Sequence, residues 1–228
     1  MIVEVYPPQS GIWHVGRDVE EDLTYRPVDR ADDANPRGGN RYDSYSGNYG
    51  TLYFATDLNV CYCETLARLR PNPNLAGLVR DEWESSHKMG PGSLPADWRH
   101  TRVESRVLPV SPLPFADVAN AETIATFNAD RSLMAGLARF DVIEIDLGNL
   151  AGKDRRVTRY IAEFLADARD GENLPKYSGI RYLSRLGEGF ECWGLFEGTQ
   201  FELVERRSIE KNSTELLHVA GLYGLTIH

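Results

Sequence analysis

The 228-residue chain has few of the features that mark secreted, metal-binding or membrane proteins. It contains only three cysteines, Cys61, Cys63 and Cys192, and an odd, sparse set does not suit a disulfide framework. Helical residues two apart point in nearly opposite directions, so we expect Cys61 and Cys63 to be separate, buried small side chains in a reducing compartment. The five histidines have no metal-ligand spacing. We therefore predict no metal site and no prosthetic group.

Long apolar runs and an excess of cations are also missing. No run of about 18 or more apolar residues occurs, which argues against a membrane-spanning helix. The N-terminal segment MIVEVYPPQSGIW lacks the basic region and apolar core of a secretory signal, so we expect a cytoplasmic protein. The formal net charge of −9 argues against binding a nucleic-acid backbone, although a single nucleotide needs only a local cation cluster. No phosphate loop or dinucleotide-binding glycine motif is present.

The composition that remains is that of a folded domain. Hydrophobic residues make up 42% of the chain and charged residues 26%, which is ordinary for a globular protein. The length suits a single domain over residues 1–228. Residues 71–105 contain several prolines and glycines, grouped near 71–73 and 90–95, and we interpret them as a possible insertion or lid.

Hydrophobic periodicity predicts an α+β fold, because strands and helices mix without a regular βαβ rhythm. Predicted strands cover about 11–16, 51–55, 101–110, 142–147, 179–184, 191–197 and 200–207. Predicted helices cover about 58–69, 120–137, 157–168 and 213–221. The first helix has Asp57 as its N-cap and ends before Pro71. The long polar stretch 18–49 is predicted to be a functional loop.

Two polar side chains stand at the ends of predicted elements. Glu64 lies at the edge of the apolar stripe of the first helix, where it either pairs with Arg68 one turn on or faces a cleft. Ser184 ends a predicted strand, where a serine either bonds its own turn or contacts a ligand. No G-x-S-x-G motif surrounds a serine, which argues against a serine nucleophile.

Four motifs in order carry a family resemblance. They are GIWHVGR (11–17), GNRYD (39–43), GTLYFATDLNVCYCETLARLR (50–70) and GIRYLSRLGEGFECWGLFEG (179–198). Over roughly residues 11–205 the chain resembles the RES-domain family, named for an arginine, a glutamate and a serine. Several members are toxins of toxin–antitoxin pairs that destroy NAD⁺. The resemblance implies an architecture like that of ADP-ribosyltransferases, with small mixed or antiparallel sheets and flanking helices around an NAD⁺ cleft.

The resemblance also implies roles for individual residues. Glu64 matches the family's glutamate, and a carboxylate there would stabilise the cationic ribose that forms as nicotinamide leaves. Arg41 matches the loop arginine that would hold the pyrophosphate, for which a planar, bidentate cation is suited. Ser184 matches the strand-end serine. The position of the family's first arginine holds His14, so His14 or Arg17 would have to complete the phosphate grip.

Further binding residues are implied around these. Arg185 follows the serine and would contact phosphate. Tyr53 and Tyr42 would stack on a nicotinamide or adenine ring, although a strand tyrosine is by default part of the core. Thr158 would lie in the first turn of a helix, where backbone N–H groups favour anions, or it only caps that helix.

The implied function is degradation of NAD⁺, as substrate, by cleavage of its nicotinamide–ribose bond. The acceptor would be water or inorganic phosphate as a co-substrate, and the partner a small antitoxin protein that covers the cleft. Two alternatives stay open. One is a mono-ADP-ribosyltransferase acting on a macromolecule. The other is a catalytically degenerate RES-domain interaction module, which the histidine at position 14 favours.

Overall fold

The computed structural model describes residues 1–17, 21–71 and 92–228. Its strands are β1 (Glu4–Val5), β2 (Ile12–Arg17), β3 (Thr51–Ala55), β4 (Ser93–Leu94), β5 (Arg102–Pro109), β6 (Phe115–Asp117), β7 (Gly179–Leu183), β8 (Glu191–Phe196), β9 (Phe201–Ser208) and β10 (Thr226–Ile227). Its helices are α1 (Leu58–Leu66), α2 (Ala96–His100), α3 (Ala121–Ala129), α4 (Arg131–Leu137), α5 (Leu147–Ala151), α6 (Arg155–Ala166) and α7 (Thr214–Tyr223).

Eight of these strands form one mixed sheet in the order β1-β6-β7-β8-β3-β2-β5-β9, and β4 pairs with β10 in parallel. The sheet is weakly joined at one place. Strands β2 and β3 share a single register pair, Trp13 with Ala55, whereas β5 pairs with β2 along its whole length. The sheet therefore has two halves that diverge at β2 and β3. The predicted single-domain α+β fold with mixed or antiparallel strand pairing and flanking helices is confirmed.

The two faces of the sheet bury two different cores because side chains alternate along a strand. On β3, Leu52 and Phe54 belong to a small core, whereas Tyr53 and Ala55 belong to the core that the helices cover. Among the most deeply buried side chains of the helix side is Leu66 of α1. This packing fixes α1 against the sheet next to the divergence of β2 and β3.

Helix α1 begins as its sequence predicts. The Asp57 side chain accepts a hydrogen bond of 2.7 Å from the backbone N–H of Asn59, which satisfies one of the free donors at the helix start. The helix ends at Leu66 and a short 3₁₀ turn continues to Leu69, just before Pro71. All three cysteines are free and buried, as predicted.

The predicted strand at 142–147 is wrong. The side-chain amide of Asn128, on α3, accepts from the backbone N–H of Ile145 at 2.7 Å and donates to its carbonyl at 2.9 Å. It thereby occupies the groups that a neighbouring strand would need. Asp146 then caps α5 through a capping box. Burial does not follow the alternation in this segment, because Val142 and Ile145 are buried whereas Ile143 and Leu147 are exposed.

The predicted helix at 120–137 is two helices. Asp130 has an extended backbone between them, and its carboxylate accepts from the N–H of Leu133 at 2.9 Å to start α4.

Of the possible insertion at 71–105, residues 72–91 lie outside the described residues, and 92–105 include β4, α2 and the start of β5. The insertion itself stays a prediction.

Within the described residues, no helix is both long enough and apolar enough to cross a membrane. In the same part of the chain, no three metal-binding side chains are grouped closely enough to hold an ion.

Candidate active site

An open cavity of about 430 Å³ lies where β2 and β3 diverge. Its walls come from these strands, α1, the loop before β3, the start of α6 and the turn after β7. The predicted residues His14, Arg41, Tyr53, Glu64 and Arg185 all line it. Segments that are far apart in sequence thus bring most of the predicted site together.

Glu64 and Ser184 are in direct contact at this cavity. The Ser184 hydroxyl donates to Oε1 of Glu64 at 2.5 Å and accepts from the backbone N–H of Leu186 at 3.0 Å. Ser184 is buried, so its hydroxyl is held in this orientation. The Glu64 side chain is exposed to the cavity, and its Oε2 has no hydrogen-bond partner among the described residues. One carboxylate oxygen is therefore fixed while the other is available to a ligand.

The GNRYD motif contributes Asn40 and Arg41 to the cavity wall. Asp43 is buried, and its carboxylate accepts from the Asn40 N–H at 2.6 Å and from the Tyr53 hydroxyl at 2.8 Å. The Tyr53 hydroxyl in turn accepts from the N–H of Tyr42 at 3.1 Å. These bonds close a tight turn on the floor of the site. Arg41, between Asn40 and Tyr42, is presented to the cavity.

Helix α6 holds the same loop from outside. Arg159 is buried and donates to the carbonyl oxygens of Ser44, Asp29 and Gly38. One turn further on, Oε2 of Glu163 accepts from the Ser44 hydroxyl at 2.8 Å and from the N–H of Ser46 at 2.7 Å. A loop without regular secondary structure is thus fixed by a buried cation and a carboxylate.

Glycine at position 39 is required by this arrangement. Gly39 has a φ of +72°, and a Cβ there would lie 2.6 Å from Nη1 of Arg159. The first residue of the GNRYD motif is therefore set by the buried arginine behind it.

His14 lines the cavity in an environment that disfavours a charged imidazole. Burial lowers the pKa of His14, outweighing the opposing effects of the Tyr53 carbonyl and of Asp22. The ring lies against Phe54 at 5.3 Å, and Nδ1 is 2.6 Å from the backbone oxygen of Tyr53. That oxygen can only accept, so Nδ1 holds the proton of the neutral imidazole. The side chain bridges the gap between β2 and β3.

Cations outnumber anions in the cavity wall. The cationic side chains that line it are Arg37, Arg41, Lys153, Arg155 and Arg185, and Glu64 is the acidic residue among the described lining. Burial and the neighbouring charges of Arg41 and Arg185 lower the pKa of Arg155. Nη1 of Arg41 is buried without a hydrogen-bond partner among the described residues. Such a surface favours an anionic ligand.

The cavity floor is aromatic and apolar. Tyr53 and Tyr182 line it, and Tyr42 lies behind Tyr182 with the two ring centroids 4.7 Å apart. Burial raises the pKa of the Cys61 thiol well above its ordinary value and that of Cys192 to about 12. Both thiols are therefore protonated at neutral pH and poor nucleophiles. The floor suits a flat ring.

Four predicted residues do not line the cavity, and one of these, Ser184, contacts the lining residue Glu64. Arg17 is exposed at the end of β2, Thr158 is buried with its hydroxyl donating to the Arg155 carbonyl at 3.2 Å, and Tyr42 is in the core. Arg155 and Tyr182 were not predicted. Tyr182 could have been found from the strand alternation that places it on the same face as Ile180 of GIRYL.

The structure is an α+β domain whose mixed sheet is weakly paired between β2 and β3, where a carboxylate held by a serine lies in a cavity lined mainly by cations. The family model described as RES domain matches residues 12–216. The chain therefore belongs to the RES-domain family. At the level of the family, the chain is related to the NAD⁺-degrading toxins of toxin–antitoxin systems.

Comparison with solved structures finds a chain of the M. tuberculosis MbcT–MbcA toxin–antitoxin complex to be similar. The sequence identity is 8%, the TM-score is 0.47, and the match covers 98% of this chain and 88% of that chain. No curated protein matches the chain.

Proposed function

We propose that this protein cleaves the nicotinamide–ribose bond of NAD⁺. The observation that carries the proposal is the contact between Glu64 and Ser184 in a cavity that also holds Arg41 and Arg185. A carboxylate with one fixed oxygen and one free oxygen, facing several cations, suits a substrate whose phosphates are anionic and whose sugar becomes cationic.

The bond between the anomeric carbon and the ring nitrogen breaks with both electrons going to nicotinamide, which leaves as a neutral molecule. The ribose then carries positive charge, and the free oxygen of Glu64 stabilises it. An acceptor oxygen, from water or inorganic phosphate, forms the new bond to that carbon. With water the product is ADP-ribose and a proton is released. With phosphate the product is ADP-ribose 1″-phosphate.

Other residues prepare this step. Ser184 fixes the Glu64 carboxylate, so its orientation is set before substrate binds. Tyr53 and Tyr182 offer flat faces to the nicotinamide ring. Because burial lowers the pKa of His14, its imidazole is a poorer source of positive charge than an arginine would be. The arginines supply the charge that holds the phosphates.

The test is nicotinamide release from NAD⁺ by purified protein, with and without inorganic phosphate. Glu64→Gln keeps the shape but removes the charge, and we expect kcat to fall by about 10²–10³-fold. Glu188→Gln, in the exposed turn after Ser184, is the matched control and should keep wild-type activity. Release that requires phosphate indicates phosphorolysis, and release without it indicates hydrolysis.

Two results would reject the proposal. If Glu64→Gln were as active as wild type, the carboxylate would have no role in the chemistry. If wild-type protein released no nicotinamide, the domain would be a binding module. ADP-ribose attached to a macromolecule, seen as a mass increase, would instead indicate the transferase alternative.

We also propose an antitoxin partner that covers the open cavity, since the RES family includes the toxins of such pairs. Expression of this protein alone should then arrest growth and lower cellular NAD⁺. Co-expression of the partner should restore both. Growth arrest that persists in Glu64→Gln would mean that toxicity does not come from this site.

A further inference from the structure

The two arginines that begin α6, Arg155 and Arg156, have different environments. Arg156 is neutralised, because its guanidinium donates to the carboxylate of Asp154, at 2.6 Å from Nη2 and 3.0 Å from Nε. It also reaches Asp33 at 3.5 Å. Arg155 has no ion pair with any described residue, and its side chain lines the cavity. Asp154 therefore leaves one of two adjacent charges uncompensated.

The backbone fixes Arg155 in this place. Its N–H donates to the carbonyl of Pro36 at 2.7 Å, which ties the start of α6 to the loop that presents Arg41. Arg155 thus enters the cavity from the helix, Arg41 from the loop and Arg185 from the turn after β7. Three guanidinium groups from separate segments converge on one space.

Like charges at close range repel one another, and such an arrangement is stabilised when an anion occupies the space between them. A pyrophosphate carries two negative charges and several acceptor oxygens, which matches more than one guanidinium. The buried Nη1 of Arg41, without a partner among the described residues, is one donor that such an anion would satisfy.

We propose that Arg155 is a substrate-binding residue that, with Arg41 and Arg185, recognises the pyrophosphate of the dinucleotide. This rests on the proposed function and adds a specificity to it. The protein selects a substrate with two phosphates over the same glycosidic bond in nicotinamide riboside. Arg155 thereby supplies positive charge from helix α6 to the same space as Arg41 and Arg185.

The test compares Arg155→Gln with Arg156→Gln, which removes the same charge one residue away and outside the cavity. For NAD⁺, we expect Arg155→Gln to lower kcat/KM by about 10- to 100-fold, mainly through KM. Nicotinamide riboside should be cleaved by Arg155→Gln as by wild type. Arg156→Gln should leave the ratio of kcat/KM for the two substrates unchanged. Arg155→Lys keeps the charge without the bidentate geometry and should recover part of the loss.

A binding measurement separates this inference from the proposed function. ADP-ribose, which lacks the bond to be cleaved, is titrated calorimetrically into the wild type and both arginine variants. A Kd raised about tenfold or more in Arg155→Gln alone supports the pyrophosphate site, even if NAD⁺ is not cleaved. An unchanged Kd in Arg155→Gln overturns the inference, even if NAD⁺ is cleaved. If Arg155→Gln does not fold, Arg155→Lys is titrated in its place. A smaller rise in Kd then supports the inference, and an unchanged Kd overturns it.

Discussion

The buried Arg159 gives the sharpest test of how the cavity is held together. Arg159→Met keeps the length of the side chain and removes its donors to the carbonyls of Ser44, Gly38 and Asp29. Of these residues, Ser44 is fully buried, whereas Gly38 is partly exposed and Asp29 is exposed. Water can therefore replace the lost donor at two carbonyls but not at the third.

The magnitude follows from this difference. A buried acceptor left without a donor costs about 1–3 kcal/mol, and groups that water can reach cost less. We expect Arg159→Met to lower the free energy of unfolding by about 2–4 kcal/mol in total. A loss of about 3 kcal/mol corresponds to a Tm lower by about 6–12 °C for a chain of this size.

The assay is urea denaturation followed by tryptophan fluorescence, together with the nicotinamide-release assay. The control is Arg131→Met, which removes an exposed arginine at the start of α4 and should change stability by less than about 0.5 kcal/mol. Because the loop also presents Arg41, Arg159→Met should raise KM for NAD⁺ at temperatures where the variant is folded. A destabilisation below about 1 kcal/mol, with KM unchanged, would refute the reasoning.

Three further results are expected. Asp57→Ala removes the cap of α1 and should cost about 1 kcal/mol in urea denaturation, whereas Leu66→Ala, fully buried on the same helix, should cost about 2–5 kcal/mol. Burial depresses the pKa of folded His14, so the unfolded state binds more protons as pH falls through about 6.5, and stability is lost there. His14→Gln should make the stability less dependent on pH between about 7.5 and 5.5, measured by urea denaturation at each pH.

The parts of the fold that were predicted correctly are those whose signals are local. Strand β3 is a short run of β-forming residues, and α1 has a capping aspartate, an apolar face and a proline just beyond its end. The segment at 142–147 carries an equally good alternating pattern, but its backbone is bonded by Asn128 from a neighbouring helix. A contact between distant residues overrides the local pattern, and nothing within the segment reveals it.

The candidate site divides in the same way. Glu64, within α1, and Ser184, directly after β7, were predicted from the motifs that carry the family resemblance, before their contact was known. Their hydrogen bond joins residues 120 apart in sequence. Whether a charge faces the cavity depends on its neighbours, as Arg155 and Arg156 demonstrate, because Asp154 pairs with only one of them. Adjacent and identical residue types gave no sequence signal for that difference.

Helix α6 explains why the arginines of the site were only partly predicted. Its apolar residues Val157, Ile161 and Leu165 recur every four positions, and this pattern identified the helix and its buried face. A second stripe with the same spacing, formed by Arg155, Arg159 and Glu163, runs beside it. The three residues lie along about 12 Å of helix, at 1.5 Å per residue.

The residues of this polar stripe contribute to the cavity in two ways. Its first residue faces the cavity as a cation, while the other two bind the loop that presents Arg41. An arginine side chain in place of His14 would bring charge next to Phe54 and the small core, where burial already disfavours a charged imidazole. Arg155, at the half-buried start of α6, brings its cation to the open cavity instead. The histidine at position 14 therefore does not leave the cavity without positive charge. Helix α6, which orders the loop, also supplies a cation, Arg155.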